Sequence, residues 1–236
     1  MMQHAHTIGI VQQILSVACS VLPIGYIIGL LGGANKKNTN DNSSGVLTLL
    51  NIMEQLKDLP QDAKSKVCFV FTDNEEKGLF GSTAFKNKYK KVLHNQKIIN
   101  FDCVGLGTQI NAYYVGSPEG NTVIDEVSKL INSDTNTVVP KRSTMMSMSD
   151  HIPFVEYNHT TLLCVDKDNQ NSLYSQIHSA NDTVLDESNI DFLSGTYSQK
   201  VRSVVLNKSN SPQVHTLAIP EPVRVLAKKK ALSFEV

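Results

Sequence analysis

Residues 97–104 read K-I-I-N-F-D-C-V. A run this apolar predicts a strand buried on both faces, the kind found inside a parallel sheet. Asp102 interrupts it. A carboxylate set among Ile98, Ile99, Phe101, Cys103 and Val104 is costly to bury unless a counter-charge or a metal ion neutralises it. The plainer alternative is an Asp at the open end of the strand, paired with Lys or Arg. The stretch alone weighs the two equally.

The same texture recurs on either side. Residues 67–72 (V-C-F-V-F-T), 110–115 and 160–165 (T-T-L-L-C-V) predict three more strands. Between them, apolar residues at helical spacing predict helices over 45–56, 79–92, 122–131 and 190–206. Val46, Leu49, Leu50, Met53 and Leu56 mark the first of these, and Pro60 ends it. Apolar strands alternating with helices predict an α/β fold, a mostly parallel or mixed sheet flanked by helices on both faces. In such folds the chemistry collects at the carboxyl ends of strands.

The 236 residues suit one α/β domain with a substantial core, with or without an appendage. Basic and acidic side chains balance at 22 each, and there is no basic stripe or aromatic platform, which argues against nucleic-acid binding. The basic run at 228–230 reads as a solvated tail. Cys19, Cys68, Cys103 and Cys164 form no C-x-x-C pair and read as free buried thiols, favouring a reducing compartment. Residues 8–31 carry no charge and are long enough to cross a bilayer core of roughly 30 Å, which predicts membrane association. Lys36 and Lys37 just beyond would keep the remainder on the cytoplasmic side. Pro23 and Gly25 split the run and support the alternative, a buried helix and strand of a soluble cytoplasmic protein. The expected organisation is an apolar segment 1–33, a main domain 34–210 and a tail 211–236.

Four polar clusters punctuate the main domain. They are N-D-N-S-S-G with Asp41, T-D-N-E-E-K-G-L-F-G-S with Glu75 and Glu76, N-F-D-C-V-G with Asp102, and I-H-S-A-N-D-T with His178 and Asp182. Adjacent carboxylates on a loop point in different directions, so one can ligate an ion while the other accepts a proton. An isolated acidic pair is more often a surface turn. Gly78, Gly81 and Ser82 favour a tight strand-to-helix turn behind the pair. Asp41, Glu76, Asp102 and His178 together offer three carboxylates and an imidazole, a donor set suited to Zn²⁺, Co²⁺ or Mn²⁺ and rich enough in carboxylate for two ions. Met145, Met146 and Met148 are candidates for an apolar side-chain pocket, with packing against the core as the commoner role.

In this order the clusters resemble metallopeptidase family twenty-eight, the co-catalytic zinc aminopeptidases and their relatives. The family's G-A-N-D-N-x-S-G loop reads G-A-N-K-K-N-T-N-D-N-S-S-G here. Its E-E-x-G-L-x-G-S, N-x-D-x-x-G, S-D-x-x-P-F and H-x-x-x-D-T segments read E-E-K-G-L-F-G-S, N-F-D-C-V-G, S-D-H-I-P-F and H-S-A-N-D-T. The resemblance implies the zinc-exopeptidase fold and two zinc ions. Asp41 would bridge the ions, Glu76 and His178 would complete one site, Asp102 would serve the other, and Glu75 would be the general base. It also implies that Asp182 orients His178 and that Asp150 lies beside the substrate, where a helix N-cap ahead of Pro153 is the equal alternative.

Three departures stand out. The family's upstream H-x-D strand, whose His completes the second site, has no counterpart; His4 and His6 lie ahead of the apolar run with no acidic residue at that spacing. K-K-N-T is inserted in the first loop. Ile177 stands where many aminopeptidases of the family carry an oxyanion-stabilising Tyr, and Tyr174 lies nearby. The second ion, left with Asp41 and Asp102, is therefore expected to bind weakly. The function expected is a zinc-dependent aminopeptidase acting on peptide substrates through a metal-activated water. The alternative is a truncated or degenerate relative, a membrane-associated binding domain without turnover. Oligomeric state is not legible.

Overall fold

The computed structural model describes residues 38–93, 96–116, 122–131, 138–143, 147–157, 159–165 and 176–207. The apolar segment 1–33 and the tail 211–236 lie outside them, as do Met145, Met146 and Tyr174. Among the described residues no helix is long and apolar enough to cross a membrane.

In chain order the elements are helix α1 (Gly45–Gln55), the single turn α2 (Gln61–Lys64), α3 (Phe80–Leu93), strands β1 (Ile98–Phe101) and β2 (Gln109–Tyr114), α4 (Thr122–Ile131), β3 (Val138–Arg142), β4 (His159–Val165) and α5 (Glu187–Asn207). The strands form one sheet in the spatial order β1-β4-β2-β3. β1 runs parallel to β4 and β2 parallel to β3, while β2 and β4 are antiparallel, so the sheet is mixed.

Strand alternation sorts the side chains between the two faces. Ile110 pairs with Cys164 and Ala112 with Leu162. All four belong to the main core, together with Ile52 of α1, Val123 and Val127 of α4, and Leu193 of α5. Phe101 at the end of β1 meets the Tyr197 ring of α5 edge-on at 5.1 Å. The residues one step along point the other way: Tyr113 and Leu163 form a smaller cluster with Cys103, against which Ile177 packs. That second face carries the site.

Several expectations change. Residues 67–72 are not a strand of the sheet: Phe71 stays 47% exposed and Cys68 is exposed rather than buried. A strand is defined by its ladder of partners, and an apolar sequence forms one only where a neighbour supplies it. β3 (V-V-P-K-R) is not among the predicted strands, and its Pro140 cannot donate a ladder hydrogen bond. β3 sits at the edge of the described sheet, where a missing N–H is tolerated. In α1 the buried positions are Gly45, Thr48 and Ile52, while Val46, Leu47, Leu50 and Met53 are exposed. The helix is apolar on two sides, and the small residues of the inner side let it approach β1.

Candidate metal centre

Two loops are laced together beneath the site. Asn42 accepts from the Gly45 N–H through Oδ1 at 3.0 Å and donates through Nδ2 to the Phe101 carbonyl at 3.0 Å. Asn40 Oδ1 accepts from the Gly105 N–H at 2.8 Å, and Ser44 Oγ from the Val104 N–H at 3.0 Å. The polar side chains of N-D-N-S-S-G thus bind the backbone that leaves β1, and Asp41 is delivered beside Asp102. The sequence reading singled out Asp41 and passed over Asn40, Asn42 and Ser44. The signal was there, since short side chains with oxygen acceptors ahead of a helix are caps and loop fasteners. A Cβ on Gly45 would come within 2.3 Å of the Phe101 carbonyl oxygen, so the contact admits only glycine.

The E-E-K-G-L-F-G-S loop is equally tight. The Glu75 carbonyl accepts from the Gly78 N–H at 3.0 Å and the Leu79 N–H at 2.8 Å. A Cβ on Gly81 would meet the Asp73 carbonyl oxygen at 2.4 Å. Asn74 and Leu79 flank the Glu75–Glu76 pair with positive φ, at 57° and 59°. Cys103 and His178 share that conformation, at 53° and 58°. Each such residue costs roughly 1–2 kcal/mol relative to ordinary backbone. All four strained positions named here lie in the loops around one cleft, and strain of this kind collects at functional sites.

The cleft encloses about 250 Å³ and is walled by Asp41, Glu75, Glu76, Asp102, Cys103 and His178, with Leu79, Met148, Leu163 and Ile177 on its apolar side. His178 Nε2 lies 3.0 Å from Asp41 Oδ2 and 2.8 Å from Glu76 Oε1. These three donors could hold one ion. Asp41, Asp102 and Cys103 make a second group, each with a ligand atom within 4.8 Å of the others, and Asp41 belongs to both. Asp102 stands just past the end of β1 rather than inside it. Its Oδ2 accepts from Ser149 Oγ, whereas Oδ1 is closed from solvent with no hydrogen-bond partner. An orphaned buried carboxylate oxygen beside two three-donor groups fits a divalent cation by the chemistry of the donors.

Electrostatics point the same way. Glu75 is pushed up from its ordinary value of 4.5 to about 8, first by burial and then by Asp102 and Glu76. Asp102 rises to about 6 through burial and the Asp41 charge. Burial and the neighbouring Glu76 also raise Asp41. Such repulsion is what positive charge in the cleft would relieve.

Two sequence expectations take a different shape. The Asp182 carboxylate accepts from the Asn40 N–H at 2.7 Å and from the Asp41 N–H at 2.9 Å. It holds the Asp41 loop, where an orienting contact on His178 was expected. Asp150 does not cap a helix: the short turn Ile152–Phe154 has no side-chain cap, and Asp150 accepts from Thr72 Oγ1 instead. That bond ties the 67–72 segment to the site.

Comparison with known proteins gives the family of the chain. The profile of peptidase family M28 matches residues 30–196. The chain belongs to peptidase family M28. Among solved structures it resembles LapA of Legionella pneumophila at a TM-score of 0.52 and 16% identity, over 71% of this chain and 48% of that one. LapB of the same organism gives 0.52 and 17%, over 74% and 49%. A second LapA structure, described as an aminopeptidase, gives 0.50 and 17%, over 72% and 46%. At these identities the likeness is one of fold, and the M28 chain spans about half the length of the structures it matches. No curated protein matches it.

Proposed function

We propose that this M28 chain is a zinc-dependent exopeptidase, an aminopeptidase that removes N-terminal residues from peptides. The observation that carries the reading is the pair of three-donor groups sharing Asp41, with Glu75 on the wall of the same cleft. Asp41, Glu76 and His178 would hold one zinc ion, and Asp41 and Asp102 would take part in holding the other. Bound zinc supplies Lewis acidity, polarising a scissile carbonyl and lowering the pKa of water.

The protein's own groups do the rest. Glu75, half-buried and surrounded by carboxylates, accepts a proton from the attacking water and passes it to the leaving amine. Leu79, Met148, Leu163 and Ile177 give the substrate side chain an apolar wall. Asp182 fixes the Asp41 loop through its two backbone hydrogen bonds. Membrane association through residues 1–33, with the remainder cytoplasmic, belongs to the same proposal and is supported by the charge-free run 8–31; it predicts that the chain sediments with membranes and is released by detergent.

A second reading, a binding domain without turnover, is favoured by the His178 side chain, which is 61% exposed for a ligand. One experiment separates the two. The metal-stripped chain is titrated with Zn²⁺ while bound metal and hydrolysis of a panel of aminoacyl anilides are followed. Zinc-dependent release of the anilide supports the aminopeptidase, whereas bound zinc with no turnover on any substrate selects the binding domain.

A further inference from the structure

We propose that the Cys103 thiolate is a metal ligand, joining Asp41 and Asp102 at the second ion. The inference rests on the metallopeptidase reading above and concerns the ion that Asp41 and Asp102 would take part in holding.

Neighbouring residues in an extended chain project to opposite faces. Asp102 and Cys103 should therefore point apart, yet both line the cleft. The left-handed backbone at Cys103, φ 53°, breaks the alternation. Its peptide groups are pinned on both sides: the N–H donates to Asn42 Oδ1 at 3.4 Å, and the carbonyl accepts from the Cys164 N–H at 3.1 Å. Glycine would take this turn without strain but would bring no donor. The second observation is Asp102 Oδ1, closed from solvent and without a hydrogen-bond partner while Oδ2 is held by Ser149. It shares its cleft with the buried Cys103 sulfur, and the carboxylate and thiol donor atoms of Asp41, Asp102 and Cys103 lie within 4.8 Å of one another.

Two carboxylate oxygens and one sulfur, with a coordination position left over, suit Zn²⁺, Co²⁺ or Cd²⁺ better than a hard cation. On ligation the thiol gives its proton to solvent and the sulfur lone pair forms the metal bond; nothing is oxidised or reduced.

The test uses the full chain in mild detergent under a non-thiol reductant, stripped of metal and titrated with Co²⁺. The second equivalent should bring in a near-ultraviolet thiolate-to-cobalt charge-transfer band. Cys103→Ser should abolish that band, leave the visible bands of the first ion, and weaken the second ion about tenfold or more. Cys68→Ser, at the exposed thiol, should keep it. If Cys103→Ser fails to fold, the unmutated chain loaded with ¹¹³Cd answers instead, since a sulfur ligand moves the second resonance far downfield. Two bound ions with no thiolate signature, or a band that survives in Cys103→Ser, would overturn the proposal and leave the metallopeptidase reading standing. No bound ion at all would overturn both.

Discussion

Glu75 and Glu76 are adjacent in the chain and differ in what surrounds them. Glu76 reaches the His178 ring at 2.8 Å, whereas Glu75 is half-buried among carboxylates. Glu75→Gln keeps the volume and removes the proton acceptor, so hydrolysis should fall by about 10²–10⁴-fold with zinc stoichiometry unchanged. Loss of zinc together with activity would assign Glu75 a structural role. The raised carboxyls also set a pH dependence. In the chelator-treated chain, the folded state holds protons that the unfolded chain releases near the ordinary values of 3.8 for Asp102 and 4.5 for Glu75. The stability these groups contribute is fully present below those values. It is lost as pH rises through about 6 for Asp102 and about 8 for Glu75. The melting temperature of the stripped chain should therefore decline between about pH 4.5 and pH 8, and saturating zinc should flatten the decline. A melting temperature that climbs toward pH 8 in chelator would contradict this electrostatic account.

At the scale of elements, the site depends on how closely α1 approaches the end of β1. The approach is fixed by Gly45, whose missing Cβ makes room for the Phe101 carbonyl, and by the Asn42 and Ser44 bonds to the same strand end. Gly45→Ala must push α1 and the Asp41 loop away from Asp102. Zinc affinity should drop by about tenfold or more, read by competition with a chelating dye, while circular dichroism stays near that of the parent. Affinity unchanged in a folded variant would mean that the loop position does not control the ions. The 67–72 segment shows the converse dependence. Val67 and Phe69 pack on the core and Thr72 binds Asp150, so the segment is anchored through its side chains while its backbone stays outside the sheet.

At the scale of the whole molecule, the candidate ions tie together parts distant in sequence. Asp41, Glu76, Asp102 and His178 come from four separate stretches of the chain. An ion bound only by the folded state adds RT ln(1 + [L]/Kd), about 2.7 kcal/mol at a hundredfold excess over Kd. For a domain of this size that is a rise in melting temperature of about 5–10 °C. Thermal scans of the stripped chain against zinc should show it. A melting temperature indifferent to zinc, cobalt and manganese alike would remove the metal centre from the proposal.

The sequence by itself determined the order of the clusters, the four long helices of the main domain and the family, and it singled out a candidate donor set. Those features live in residue identity and in local signals: glycines where the chain turns, amide and hydroxyl side chains ahead of a helix, apolar spacing within one element. Asp41, Glu76, Asp102 and His178 could be picked out because carboxylates and an imidazole at loop positions have a chemistry of their own wherever they lie. The tertiary structure alone decided which surfaces meet. It turned the Gly45, Thr48 and Ile52 side of α1 inward and left Val46, Leu47, Leu50 and Met53 exposed, paired Pro140's strand at an edge and left 67–72 outside the ladder. It turned Asp182 toward the backbone of the Asp41 loop and brought Cys103, which reads in the sequence as one more buried thiol, into the cleft. Facing and pairing are set by neighbours far along the chain, and a single φ of 53° at Cys103 redirects a side chain in a way that no apolar pattern records.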